Sequence, residues 1–380
     1  MKDLARALDQ LKHENLFRER KLASSAQQIE PIINGQKVLS FCSNDYLGLA
    51  NHPKVVERFA MAAQESGVGS GASHLITGHH DSHAALEQEL AEFLGFEKAL
   101  LFSTGYMANL GVVSALANRN SSIYADKLNH ASLNDAAILS RATLSRYAHQ
   151  QTDQLENNIA SDKNDEKFIL TDGVFSMDGT IAPVSALQSI AKKYRARLII
   201  DDAHGIGVLG AQGKGCSENL LSKDNILIGT LGKAFGTFGA FVAANSETIA
   251  WIIQKAHSYI YTTALPPAIA EATRTSLQLI KEEAWRREHL QTLIKYFQDQ
   301  CKQAGIAVSA SNTPIQPIIL GSPETALVVS KHLLDAGMLV PAIRPPTVAK
   351  NTARLRITFS AAHKKSQLDR LVVVIKQSLN

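Results

Sequence analysis

Cysteine is scarce in this chain. Cys42, Cys216 and Cys301 are the only three in 380 residues; they lie far apart and never form a C-x-x-C pair. That argues against a disulfide framework and a cysteine-built zinc site, and it favours a reducing compartment. Long apolar runs are missing as well. No stretch reaches the ~18 residues needed to span a bilayer, and the charged segment MKDLARALDQLKHENLFRER has no apolar signal region. The expectation is a cytoplasmic protein with no membrane partner. Charge of one sign is nearly balanced, with a formal net of +4. No dense Lys/Arg stripe with interleaved aromatics occurs, so nucleic-acid binding is not expected. There is no internal repeat and no low-complexity tract.

What is present points to a globular protein. Hydrophobic residues make up 45% and charged residues 19%, enough to bury a sizeable core over two or three domains. Leu4, Leu8, Leu11 and Leu16 recur at near-helical spacing and predict an amphipathic helix over 4–20. From about residue 98, apolar strands alternate with amphipathic helices in KALLFSTGYMANLGVVSALA, IYADKLNHASLNDAAILS, FILTDGVFSMDGTIAPVSALQSIAKKY, RLIIDDAHG and ILIGTLGKAFG. That order predicts an α/β unit with a mainly parallel sheet. A long helical pattern follows Pro266–Pro267 to about Gln303, then short strand signals at 315–320, 338–343 and 354–359. The expected division is an N-terminal helix and strand segment over 1–40, a large α/β domain over 41–280 and a small C-terminal α+β domain over 281–380.

Three motifs invite readings that their context rejects. GIGVLG (205–210) fits the dinucleotide fingerprint, but that fingerprint needs a helix starting on its glycines. Here AQGKG follows, and Gly213 and Gly215 would break a helix, so the stretch reads as a loop. GAQGKG and GTLGKA lack the Ser/Thr that a P-loop places after its lysine. His79 and His83 stand at i, i+4, a zinc-like spacing, yet no third ligand is evident and no metal is expected.

In parallel α/β sheets, ligands sit outside the C-terminal ends of the strands. Polar residues just after each strand are therefore the candidates. Lys233, in TLGKAFG, is a surface lysine on its own; at a dry strand end it could lose its proton and form a Schiff base. Asp201 is a cap or turn residue, or the partner of a pyridinium nitrogen. His204 could reach the same ligand, while Asp202 points the other way and reads as structural. Ser103–Tyr106 opens a helix, and Gly105 lets a phosphate approach its free amides. His130 is a helix-capping or core histidine, or a ring lying flat on a planar cofactor. Together these suggest pyridoxal 5′-phosphate.

The sequence resembles the α-oxoamine synthases, pyridoxal-phosphate enzymes of fold type I. The resemblance is carried in order by SNDYLGLANHP, GSGASHLITGHHDSHAALEQELAEFLG, FSTGYMANLG, NHAS, DGVFSMDGTIAP, DDAHGIGVLG, TLGKAFG and RPPTV…TARLRIT. It implies a large domain with a mainly parallel sheet and a smaller C-terminal domain. It further implies that Lys233 carries the cofactor and moves protons at Cα, that Asp201 pairs with the pyridine nitrogen, and that His130 stacks on the ring. His204 and Ser176 match contacts on the phenolic-oxygen side. The backbone at Gly105–Tyr106 and Thr230 would hold the phosphate, Thr230 reaching the cofactor of a partner subunit. Arg356 matches the residue that grips the amino-acid carboxylate, and Asn44 lies near the reacting centre. Thr347 and Arg18 match positions lining the acyl site, with Arg20 a rival for Arg18. The implied reaction is a decarboxylative condensation of L-alanine with a pimeloyl thioester of coenzyme A or an acyl carrier protein, by a homodimer. Glycine with acetyl-CoA is the alternative within the family, and a non-catalytic homologous subunit is a further one, which would be expected to lack the lysine found at 233.

Overall fold

The computed structural model describes residues 3–218 and 224–379. The chain forms two compact units. One comprises Met1–Asn51, Met177–Gly179 and Glu288–Asn380; the other comprises His52–Ser176 and Thr180–Arg287.

The larger unit is built on a seven-stranded sheet in the order Lys98–Phe102, Ala240–Ala244, Ile226–Thr230, Arg197–Asp201, Glu166–Asp172, Ser121–Asp126, Thr143–Tyr147. From Ile226–Thr230 outward to Thr143–Tyr147 every neighbouring pair is parallel. Ala240–Ala244 runs antiparallel to both of its neighbours. The exception has a simple cause. Only residues 231–239 separate Ile226–Thr230 from Ala240–Ala244, too few for the dozen-residue crossover that a parallel return requires. The chain turns back instead, with Leu231 N donating to Gly239 O. Lys233 sits on that turn.

The central strands of the sheet are apolar along their middles and buried. Every residue of Ser121–Asp126 and of Ala240–Ala244 is buried. Ile123, Leu170, Ile199, Ile228 and Val242 form one core with Val112 and Val113 of the helix Gly105–Leu116. Each such side chain contributes roughly 1.5–3 kcal/mol by leaving water. Two helices start directly behind strand ends. Gly105–Leu116 is capped by the Thr104 side chain, which accepts from Met107 N. Ala131–Ser140 is capped by His130, whose side chain accepts from Ser132 N.

The smaller unit holds a three-stranded antiparallel sheet in the order Ile315–Gly321, Ala353–Thr358, Ala342–Ile343. A parallel pair joins Met338–Leu339 to Leu39–Ser40, which ties the N-terminal segment into this unit. The helix expected over 4–20 covers only Leu4–His13. Asn15 takes a left-handed conformation (φ 56°) that ends it, so Leu16 leaves the apolar stripe. The helical pattern after Pro266 is two helices, Pro267–Glu282 and Trp285–Ala304. No described helix is long and apolar enough to cross a membrane.

Candidate active site

The strand ends of the larger unit surround a cavity lined by Gly105, Tyr106, His130, Ser132, Asp172, Val174, Ser176, Asp201, Ala203, His204, Thr230 and Lys233. Each position follows from local chain geometry. Asp201 is the last residue of its strand and 8% exposed. Its Oδ2 accepts from Asn109 Nδ2 at 2.6 Å and its Oδ1 from the Ala203 amide at 3.1 Å, so two N–H donors fix the plane of the carboxylate. On the turn after the next strand, Lys233 Nζ lies 2.8 Å from His204 Nε2. Thr230 ends that strand and its hydroxyl donates to Gly239 O at 3.1 Å.

His130 caps its helix. Its backbone N–H donates to both carboxylate oxygens of Asp172 at 3.1 Å, and its Nδ1 lies 2.7 Å from Ser132 Oγ. Burial holds the His130 imidazole below its ordinary range, and the charge of Asp201 partly opposes this. Asp172 is buried beside Asp201; burial first and that neighbouring carboxylate second push its carboxyl well above the usual range. The Tyr106 hydroxyl donates to Asp135, and its ring meets His130 edge-on, 6.4 Å between centroids.

The donor set fits pyridoxal phosphate. The helix Gly105–Leu116 opens on the cavity, and first-turn amides have no intrahelical partner. Thr104 takes the Met107 amide, which leaves those of Gly105 and Tyr106 toward an anion. A Cβ built on Gly105 would meet nothing within 4 Å, so the approach is open. The same cavity offers a primary amine at Lys233 for an aldehyde and a buried acid at Asp201 for a ring nitrogen.

The remaining candidates belong to the smaller unit. Arg356 is buried in the strand Ala353–Thr358, and both Nη1 and Nη2 donate to Asn44 Oδ1 at 3.3 Å. The Tyr46 hydroxyl donates to the same oxygen at 3.1 Å. Arg18 Nη2 donates to Thr347 Oγ1 at 3.3 Å. Arg344 holds the segment carrying Arg18, donating to the carbonyls of Asn15 and Phe17.

Asp202 is fully buried and its Oδ2 accepts from the Cys216 amide at 2.7 Å. Burial raises its carboxyl to about 7. A Cβ on Gly205 or Gly215 would come within 2.1 or 2.0 Å of its oxygens. Gly205 and Gly215 therefore make room for this carboxyl, and no helix begins on GIGVLG. His79 and His83 acquire a third imidazole that the sequence reading did not foresee. Ligand atoms of His74, His79 and His83 lie within 4.8 Å of one another. They are already engaged, however. His74 Nδ1 and His79 Nδ1 share a hydrogen bond of 2.9 Å. His83 accepts from His80 N at 2.9 Å and pairs through Nε2 with Leu265 O at 2.8 Å. We assign no metal to them.

Sequence reasoning missed Asn109 and Ser132 as braces of the site, and it placed Asp172 at a strand end without giving it a role. The available signal was Asn109 itself, a lone amide amid the apolar helix GYMANLGVVSAL.

Comparison with known proteins accords with this geometry. The family described as aminotransferase class I and II matches residues 36–375. The chain belongs to this family. Within it, the chain is 50% identical to the 8-amino-7-oxononanoate synthase of Methylococcus capsulatus, covering 99% of this chain and 98% of that protein. It is 49% identical to the enzyme of the same name from Thioalkalivibrio sulfidiphilus, covering 100% and 98%. Among solved structures, a serine palmitoyltransferase from S. paucimobilis with a bound PLP–myriocin aldimine superposes with a TM-score of 0.93 at 27% identity, over 99% of this chain and 96% of that one. An 8-amino-7-oxononanoate synthase from Francisella tularensis gives 0.79 at 33% identity, over 90% and 98%. As a class I and II aminotransferase-family protein, the chain has the type I fold and is pyridoxal-phosphate dependent.

Proposed function

We propose that this chain condenses L-alanine with a pimeloyl thioester, releasing CO2 and the free thiol and giving 8-amino-7-oxononanoate, a step of biotin biosynthesis. One observation carries the reading: an amine (Lys233), a buried acid (Asp201) and helix-start amides (Gly105, Tyr106) line a single cavity, in a chain half identical to enzymes of that name.

Bound pyridoxal phosphate supplies an electron sink for the pair released at the amino-acid Cα. The protein does the rest. The amides of Gly105 and Tyr106, with Thr230, would hold the phosphate. Asp201 would keep a proton on the ring nitrogen. Ser176 and His204 would serve the phenolic-oxygen side, and His130 the ring face. Lys233 Nζ takes the Cα proton before the carbon–carbon bond forms and returns one after CO2 leaves. Arg356 presents a two-nitrogen fork to the alanine carboxylate, with Asn44 orienting it. Thr347 and Arg18 hold the acyl chain, and Arg344 fixes the arm on which Arg18 sits.

The acyl donor is a thioester of coenzyme A or of a carrier protein. The assembly in this reading is a cytoplasmic homodimer. Exposed apolar side chains in the larger unit, among them Val68, Ile76, Phe238 and Tyr261, support such an association. Turnover settles the substrates: L-alanine with pimeloyl-CoA should be used at least tenfold better than glycine with acetyl-CoA (~1.4 kcal/mol of discrimination), and the reverse preference would overturn the assignment.

A further inference from the structure

Asn109 lies on the helix Gly105–Leu116 and is completely buried. Its Nδ2 stands 2.6 Å from Asp201 Oδ2 and 2.7 Å from Ser132 Oγ. An amide nitrogen has two hydrogens, so both are spent on these acceptors. The reversed amide would set its carbonyl oxygen against the Asp201 carboxylate, so the charge of Asp201 fixes the orientation. The carbonyl oxygen, Oδ1, finds no donor among the described residues. A buried orphan of this kind is costly, and leucine at this apolar position would avoid it. The two acceptors are what the amide serves.

Ser132 passes the constraint on. Its Oγ accepts from Asn109, which leaves its one hydroxyl hydrogen for His130 Nδ1 at 2.7 Å. The Ser132 backbone N–H, which can only donate, also points at Nδ1, at 3.3 Å. Nδ1 is therefore the unprotonated nitrogen, and the N–H of the neutral ring is on Nε2. Burial keeps that ring neutral.

We propose that Asn109 is a positioning residue of the active site, one amide that fixes the Asp201 carboxylate directly and the His130 tautomer through Ser132. This rests on the functional reading only insofar as Asp201 and His130 flank the cofactor. The coupling itself is a property of the hydrogen bonds. Asn109→Leu would break it without changing a group that lines the cavity; Ser132→Ala removes one cavity-lining hydroxyl, and Ser132→Thr, which preserves the hydroxyl, is its control.

The test uses the holoenzyme and two readouts. The first is the ¹⁵N spectrum of histidine-labelled protein, with the His130 signals assigned by their loss in His130→Gln. The wild type and Ser132→Thr should show an unprotonated Nδ1, and Ser132→Ala and Asn109→Leu a measurable fraction of the Nδ1-protonated tautomer, because Ser132→Ala leaves only the longer 3.3 Å backbone donor and Asn109→Leu frees the Ser132 hydroxyl to turn away. The second is the pH titration of the bound cofactor's absorbance together with steady-state kinetics. Asn109→Leu and Ser132→Ala should retain the cofactor, move the titration midpoint and lower kcat about tenfold, with KM for L-alanine nearly unchanged. Ser132→Thr should recover both. A protonated Nδ1 in the wild type would overturn the proposal. So would a Ser132→Ala protein whose tautomer, absorbance titration and kcat all match the wild type. If Asn109→Leu fails to fold, the Ser132 pair decides alone. Failure of the wild type to bind pyridoxal phosphate would instead count against the functional reading, and the nitrogen spectrum would still report the coupling.

Discussion

His204 Nε2 and Lys233 Nζ lie 2.8 Å apart, joining the loop after one central strand to the turn after the next. An amine that must shuttle a proton benefits from a neighbour that fixes its direction. Replacing His204 with alanine should leave the cofactor bound but lower kcat by roughly tenfold, about the worth of one hydrogen bond. Steady-state rates together with the cofactor absorbance check this. An unchanged kcat would remove His204 from the account.

Arg356 is held with both terminal nitrogens on Asn44 Oδ1. Loss of its fork should raise KM for L-alanine by about 10- to 100-fold in Arg356→Ala and leave pyridoxal phosphate bound. Substrate-saturation curves at fixed pimeloyl thioester measure it. An unaltered KM would show that alanine's carboxylate is held elsewhere.

Arg18, which donates to Thr347, should matter to the other substrate. Arg18→Ala is expected to raise KM for the pimeloyl thioester about tenfold with that for alanine unaffected, and Arg20→Ala to do neither. If Arg20→Ala gives the larger effect, the assignment passes to Arg20.

Asp202 gives the pH prediction. Its folded-state pKa of about 7 stands above the ordinary carboxyl value of 3.8 because it is buried. The native state therefore binds a proton that the unfolded state has released. The stability contributed by the neutral carboxyl is complete below about pH 4 and declines as pH rises through 7. Asp202→Asn keeps the shape without the titration. Relative to wild type, its unfolding free energy should gain up to about 4 kcal/mol between pH 4 and pH 8. Parallel denaturant titrations at the two pH values would refute this by showing a constant difference.

The outcome at particular residues shows what sequence patterning can reach. Asp201 and Thr230 were legible because parallel strands are continuously apolar, so the first polar residue marks the end of each, and Lys233 follows three residues after Thr230. The antiparallel strand Ala240–Ala244 was not, since its hydrophobicity matches that of its neighbours and only the short 231–239 turn dictates its direction. The N-terminal helix was overdrawn because leucine spacing carries no information about the φ of Asn15. His74 escaped notice because it meets His79 five residues on, across one turn of π-helix (His74–Gly78), a spacing absent from the α-helical pattern. Alternation alone placed Asp202 off the ligand, but that it is enclosed by Gly205 and Gly215 needed the folded loop. Asn109 is the clearest case: its two acceptors come from residues 23 and 92 positions away, and no local pattern joins them.

Thiol release from pimeloyl-CoA in the presence of L-alanine, compared between the wild type and Lys233→Ala at equal protein, tests the central claim most directly. With proton transfer at Cα assigned to this amine, the variant should lose about 10²–10⁴-fold in rate or more. A Lys233→Ala protein that releases thiol at the wild-type rate would contradict the account.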